Sequence, residues 1–265
     1  MNTTGIIIAI AIVGGVGLFI GIFLGFFGKY FHVETDPREE EVLSVLPGNN
    51  CGGCGYPGCS GLAAAIAKGE APVNACPVGG DPVGRQVASI MGVEAGESTR
   101  MVAYVKCHGT CEVAKSGYEY YGVKDCLAMR FVPDGGPKSC DYGCLGFGSC
   151  VSVCQFDAIS IMDGVAVVDK EVCKACGKCV STCPKGLIEL IPYEASYAVS
   201  CSSKDKGPAV MSVCNVGCIG CGICAKNCAA GAISVTDFIA HIDQSLCVGC
   251  GVCEQKCPKH AIVRH

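Results

Sequence analysis

The sequence predicts an α+β chain in four parts: a single N-terminal transmembrane helix, a small four-cysteine domain, and two tandem cysteine-rich units of one design. Three observations carry that reading. Gly5 to Phe27 contains no charged residue over 23 positions, long enough to span a bilayer with some tilt. Cysteine is dense, 25 in 265 residues, and falls in runs of fixed spacing. The second half of the chain repeats its cysteines at a constant offset of 74, which marks duplicated structural units. The expected parts are 1–32, 33–95, 96–192 and 193–265.

The apolar run reads as a retained anchor rather than a cleaved signal peptide. It has no basic n-region, exceeds the length of an h-region and lacks a small-x-small cleavage site. Lys29 and Arg38 follow it, so the positive-inside rule places residues 29–265 in the cytoplasm. The expected location is a prokaryotic plasma membrane, crossed once. Gly17, Gly21 and Gly25 form a stripe at a spacing that lets another membrane helix approach. The plain alternative is that glycine is common in such helices.

Asp36-Pro37 marks a helix start. The stretch LPGNNCGGCGYPGC then supplies Cys51, Cys54 and Cys59, and Cys76-Pro77 follows. Glycines 52, 53, 55 and 58 let backbone N–H groups come close to the sulfides of a bound cluster. Residues 60–68 read as a short helix behind the loop. The triplet is irregular, so zinc remains an alternative at this site.

Cys173, Cys176, Cys179 and Cys183-Pro184 read C-x2-C-x2-C-x3-C-P, and so do Cys247, Cys250, Cys253 and Cys257-Pro258. This is the bacterial ferredoxin run: three thiolates hold one [4Fe–4S] cube, and the fourth reaches the neighbouring cube. A disulfide scaffold suits short secreted chains and an even cysteine count. Zinc sites favour two separated C-x2-C pairs. Thiolate cages of this kind imply a reducing compartment.

The same offset relates Cys144, Cys150 and Cys154 to Cys218, Cys224 and Cys228, and Asp169 to Asp243. Between the two runs of each unit, residues 158–169 and 232–243 alternate apolar and polar, with Asp163-Gly164 at the first turn. Each unit is therefore expected to be a ferredoxin-like two-cluster fold, with a short helix after each fourth cysteine.

The repeat exposes one difference: Cys221 has Phe147 as its equivalent. Cys140, the equivalent of Cys214, is expected to fill the missing place. Crosswise ligation then gives four sites: Cys140, Cys144 and Cys150 with Cys183; Cys173, Cys176 and Cys179 with Cys154; Cys218, Cys221 and Cys224 with Cys257; Cys247, Cys250 and Cys253 with Cys228. A three-iron cluster at the first of these is the rival reading. With Cys51, Cys54, Cys59 and Cys76, five [4Fe–4S] clusters are expected. Cys107, Cys111, Cys126, Cys201 and Cys214 remain. A sixth cluster drawn from Cys107, Cys111, Cys126 and either Cys201 or Cys214 stays open beside the reading of buried free thiols.

Formal net charge is −4, and each cube with four thiolates adds about −2. So acidic a chain argues against nucleic-acid binding. The histidines at 32, 108, 241, 260 and 265 show no ligand spacing; His108 alone lies inside a cysteine pair. Lys174, Lys178, Lys185, Lys256 and Lys259 surround the ferredoxin loops, either as a solvated face or as a docking patch for an acidic redox partner. No dinucleotide fingerprint, phosphate loop or nucleophile–base constellation is present in the sequence.

The anchor, the LPGNNCGGCGYPGC motif with Cys76-Pro77, and the later ferredoxin runs together resemble the B-subunit family of Rnf complexes. These are membrane-bound, ion-translocating ferredoxin:NAD oxidoreductases. The resemblance covers essentially the whole chain and departs from shorter relatives in its duplicated second unit. It implies an electron-transfer subunit without a complete active site, fed by reduced ferredoxin and serving membrane, flavin- and NAD-binding partner subunits. A self-standing membrane-tethered reductase serving a soluble enzyme is the alternative, and a zinc-stapled interaction module is a third option. The translocated ion, Na⁺ or H⁺, is not legible.

Overall fold

The computed structural model describes residues 3–30, 36–96 and 99–265. His32 and the boundary expected at 32/33 lie outside the described residues. Helix α1 covers Thr3–Tyr30, with Ile12, Leu18, Phe19 and Phe26 exposed. The spaces beside Gly17, Gly21 and Gly25 are open. The expectation of a membrane-crossing helix finds no support among the described residues, where no helix is long and apolar enough to cross a membrane.

Helix α2 (Pro37–Val45) starts where Asp36-Pro37 predicts. The Asp36 carboxylate accepts from the Arg38 backbone N–H at 2.9 Å, satisfying an otherwise orphaned donor. Helix α3 (Cys59–Ala67) follows the glycine-rich loop, and α4 (Gly80–Met91) closes the packet. Val42, Leu62, Ala63, Ile66 and Val87 form its core. Each large aliphatic side chain buried there contributes about 1.5–3 kcal/mol. This packet holds the Cys51–Cys59 loop against α3.

Strand β1 (Met101–Val105), helix α5 (Ser149–Ser152), strands β2 (Ile159–Met162) and β3 (Val165–Val168), helix α6 (Lys178–Thr182) and strand β4 (Ile188–Pro192) build the first unit. Strand β5 (Tyr197–Val199), helices α7 (Gly207–Val213) and α8 (Ile223–Lys226), strands β6 (Ile233–Thr236) and β7 (Ile239–Ile242), helix α9 (Val252–Lys256) and strand β8 (Ile262–Arg264) build the second. Each unit is two antiparallel ribbons: β2–β3 and β1–β4 in one, β6–β7 and β5–β8 in the other. The hairpins at 159–168 and 233–242 are those the alternation predicts. Asp163 and Gly164 turn with φ of 48° and 75°, as a two-residue turn of this hand requires. The ribbons that close each unit, β1–β4 and β5–β8, were not foreseen.

The expected helix after each fourth cysteine is corrected. Helices α6 and α9 lie before Cys183 and Cys257. Pro184 and Pro258 follow at once and cannot continue a helix, so the chain turns into β4 and β8.

Residues 106–148 carry short 3-10 turns and two isolated β-bridges, Ala114 to Cys214 and Ser116 to Lys138, and line both units. His108 N–H donates to Ser200 O at 3.1 Å, Lys115 N–H to Val213 O at 2.9 Å, and Asn215 N–H to Val113 O at 2.9 Å. The lead-in is thus hydrogen-bonded into the second unit as well as the first.

Candidate iron–sulfur sites

Cysteines gather at cavities whose walls are loop backbone and small aliphatic side chains. In the second unit Cys218, Cys221, Cys224 and Cys257 line one cavity, with Val235, Ala240 and Ile262 around them. That quartet is the expected one. In the first unit the corresponding cavity is lined by Cys126, Cys144, Cys150 and Cys183. Cys140 is not there. It lines a third cavity with Cys107, Cys201 and Cys214. Counted with their openings, the three spaces measure about 370, 410 and 390 Å³, so the third matches the two ferredoxin-type cavities.

The expected substitution of Cys140 for the residue at 147 is therefore corrected. Tyr120 of the lead-in packs on the Phe147 ring, with centroids 6.0 Å apart. Further along the lead-in, Cys126 N–H donates to Ser149 Oγ at 2.9 Å, which brings Cys126 to the start of α5 beside Cys150. Cys140 instead interacts with Cys107 and Cys214. Cys111 joins none of these groups; its N–H donates to Asp163 O at 2.9 Å.

Short helices explain the crosswise sharing. Helix α6 carries Cys179 and ends at Cys183. Cys179 interacts with Cys173, Cys176 and Cys154, whereas Cys150 interacts with Cys183. One turn of helix thus feeds two sites, as the spacing predicts. Cys253 interacts with Cys247 and Cys250, and the offset of 74 puts Cys228 where Cys154 stands. In the four-cysteine domain Cys76 interacts with Cys54 and Cys59.

Backbone amides aim at the sulfurs. Gly79 N–H reaches Cys76 Sγ at 3.4 Å, Ala103 N–H reaches Cys173 Sγ at 3.4 Å and Ala166 N–H reaches Cys144 Sγ at 3.5 Å. Leu187 N–H to Cys183 Sγ at 3.4 Å recurs as Ala261 N–H to Cys257 Sγ at 3.3 Å. Gly146 and Gly220 also match. A Cβ on Gly146 would lie 2.5 Å from Gly164 O, and one on Gly220 2.6 Å from Phe238 O. Both glycines have positive φ, so the loop–hairpin approach admits no side chain.

Burial pushes the Cys150 thiol up to about 12, and those of Cys179, Cys201 and Cys224 to about 11. Such thiols make poor thiolates by themselves, and an iron-bearing core is the kind of cationic group that would deprotonate them. Among the described residues no three His, Cys, Asp or Glu side chains gather as they would round a single metal ion. All-thiol donors ringing a cavity, with N–H groups on the sulfurs, fit a cluster.

Adjacent sites touch. A Cβ on Gly53 would lie 2.7 Å from Cys176 O, and Cys51 interacts with Cys176. Cys144 N–H donates to Cys107 Sγ at 3.3 Å. The backbone amide of Cys218 lies beside the Cys201 sulfur and offsets part of the effect of its burial.

Three family models match: an Fe-S cluster family over 46–78, a 4Fe-4S binding domain over 166–189, and a 4Fe-4S dicluster domain over 217–261. The chain is 44% identical over 255 residues to the B subunit of the ion-translocating oxidoreductase complex of Methanosarcina acetivorans, covering 96% of each chain. The chain belongs to the B-subunit family of Rnf complexes. It is 47% identical over 239 residues to the B subunit of the Na⁺-translocating ferredoxin:NAD⁺ oxidoreductase complex of Acetobacterium woodii, covering 90% of this chain and 72% of that one. It is 42% identical over 248 residues to the proton-translocating counterpart of Clostridium ljungdahlii, covering 93% and 86%. As a member of this Rnf family it is an iron–sulfur electron-transfer protein with ferredoxin-like 4Fe-4S domains.

The sequence reading held open a sixth site with Cys107 and either Cys201 or Cys214, but missed that Cys140 joins them and that Cys201 and Cys214 stand there together. The signal was present: Cys140 and Cys214 are equivalent by the offset, so a place given to one applies to the other.

Proposed function

We propose that this protein is a membrane-anchored relay of six [4Fe–4S] sites, which accepts electrons from reduced ferredoxin and delivers them to partner subunits of an ion-translocating oxidoreductase. The observation that carries it is the contact between successive quartets. The order is Cys51, Cys54, Cys59 and Cys76; then Cys173, Cys176, Cys179 and Cys154; then Cys126, Cys144, Cys150 and Cys183; then Cys107, Cys140, Cys201 and Cys214; then Cys218, Cys221, Cys224 and Cys257; then Cys247, Cys250, Cys253 and Cys228. The third and fourth quartets are joined by the N–H···S bond from Cys144 to Cys107, and the Cys218 amide lies beside Cys201 between the fourth and fifth.

A bound cluster supplies a one-electron store that changes charge with no bond to the substrate. The chain's residues do the rest. Thiolates hold the iron, amide N–H groups temper the negative charge on sulfur, and side chains such as Ile161, Leu187, Val235 and Ile262 keep water from it. Lys185 and Lys259, equivalent by the offset, line the first and second units' cavities and would steer an acidic donor.

The test is anaerobic stopped flow with the full chain in detergent. Reduced ferredoxin should be oxidised, at a second-order rate that falls as salt rises, while NAD⁺ added alone is not reduced. Catalytic NAD⁺ reduction by the isolated chain would refute the relay, and indifference to ferredoxin would refute the donor.

Helix α1 is the proposed anchor, with the cluster-bearing part in the cytoplasm. Support comes from the uncharged run 5–27, the exposed apolar side chains of α1, and the basic residues that follow it. Protease added outside intact right-side-out vesicles should leave residues 36–265 whole; their digestion without lysis would reverse the orientation.

A further inference from the structure

We propose that Lys138 is the counter-ion at the junction between the two units, and that its fixed positive charge raises the reduction potential of the quartets on either side. The inference rests on the six-site reading. Lys138 is 8% exposed, and the other buried polar residues described are the serines 149, 200 and 203. Its Nζ donates to Gly109 O at 2.6 Å, Cys144 O at 2.6 Å and Gly164 O at 3.4 Å. Three carbonyl acceptors match the three N–H bonds of an ammonium.

Among the described residues no carboxylate answers that charge. The ion pairs there are Arg38–Asp36, Arg100–Glu171, Lys106–Glu189 and Lys204–Asp237. A buried ammonium held by carbonyls alone is costly. Its compensation is on either side: Lys138 lines the cavity of Cys107, Cys140, Cys201 and Cys214, and its charge acts on Cys144 of the neighbouring quartet. Thiolates around clusters at those two places supply the missing negative charge.

The carbonyls come from three segments. Gly109 follows Cys107, Cys144 is itself in a quartet, and Gly164 is in the turn between β2 and β3. Lys138 therefore sits between the two sites rather than at the rim of one. A positive charge there favours the more negative, reduced form of both. In each transfer one electron leaves the reduced neighbouring quartet, which is oxidised, and enters the junction quartet, which is reduced. No bond breaks and no proton moves. The low-potential donor is ferredoxin, and the acceptor is the next quartet. Electrons then rest at the junction instead of at either end.

The test is a potentiometric EPR titration of the anaerobic full chain and its variants. Lys138→Met should keep the iron and lower the midpoints of the two adjoining sites by at least 59 mV, a tenfold change for a one-electron couple. The other four sites should be unmoved, and Lys138→Arg should keep wild-type midpoints. Wild-type midpoints in Lys138→Met with full iron would overturn the proposal. Should Lys138→Met lose iron, Lys138→Gln and Lys138→Arg decide: lowered midpoints in Gln alone support the charge, and equal midpoints in both overturn it. Failure of the six-site reading has its own signature, a wild-type chain with about 20 irons and a Cys201→Ser variant that loses none.

Discussion

Cys140→Ser and Cys214→Ser should abolish the same EPR signal, and Cys126→Ser a different one. Cys140 and Cys214 hold equivalent places in the two units and line one cavity with Cys107 and Cys201. Each substitution leaves that site three thiols, so each chain should lose between one iron and the whole cluster of about four. Cys126 belongs with Cys144, Cys150 and Cys183, so its loss should strike the first unit and spare the junction. Paired spectra of the three variants make the comparison. Loss of the first unit's signal in Cys140→Ser, with that signal intact in Cys126→Ser and Cys214→Ser, would restore the assignment drawn from spacing alone.

Gly53→Ala should uncouple the four-cysteine domain from the rest of the relay without emptying any site. The added Cβ would meet Cys176 O at 2.7 Å, Cα at 3.0 Å and C at 3.1 Å. All three are backbone atoms, so no rotamer change relieves the clash. Overpacking of this kind costs about 1–3 kcal/mol, or roughly 5- to 150-fold in the ratio of docked to undocked domain. Rapid-freeze EPR during reduction should show the site of Cys51, Cys54, Cys59 and Cys76 filling later than in wild type, with iron content unchanged. Equal filling times would show that electrons do not cross at Gly53 and Cys176.

Much of this was legible in the residues. The ferredoxin runs fixed three thiols each by local spacing, and short helices deliver the fourth across to the neighbour, as expected. The hairpins followed from alternation, the first with Asp163-Gly164 at its turn. Cys126 was not legible, because 18 positions separate it from Cys144 and the lead-in that carries it has almost no periodicity. Its position depends on tertiary contacts: Tyr120 against Phe147, and Ser149 accepting from the Cys126 amide. Cys107 and Cys201 were read as candidates for a sixth site, but Cys140 was not placed with them, since their quartet draws on both units. The helix after each fourth cysteine failed for a local reason, the prolines at 184 and 258. Lys138 gave no signal in the sequence; only its burial among three carbonyls distinguishes it from the exposed lysines.

The most direct measurement is iron and acid-labile sulfide per chain in anaerobically prepared full-length protein, wild type beside Cys201→Ser. Six cysteine quartets require about 24 of each in the wild type. The variant should fall to about 20 if its cluster is lost, or lose a single iron if a three-iron core survives. About 20 irons in both, or zinc in stoichiometric amount, would contradict the six-site relay.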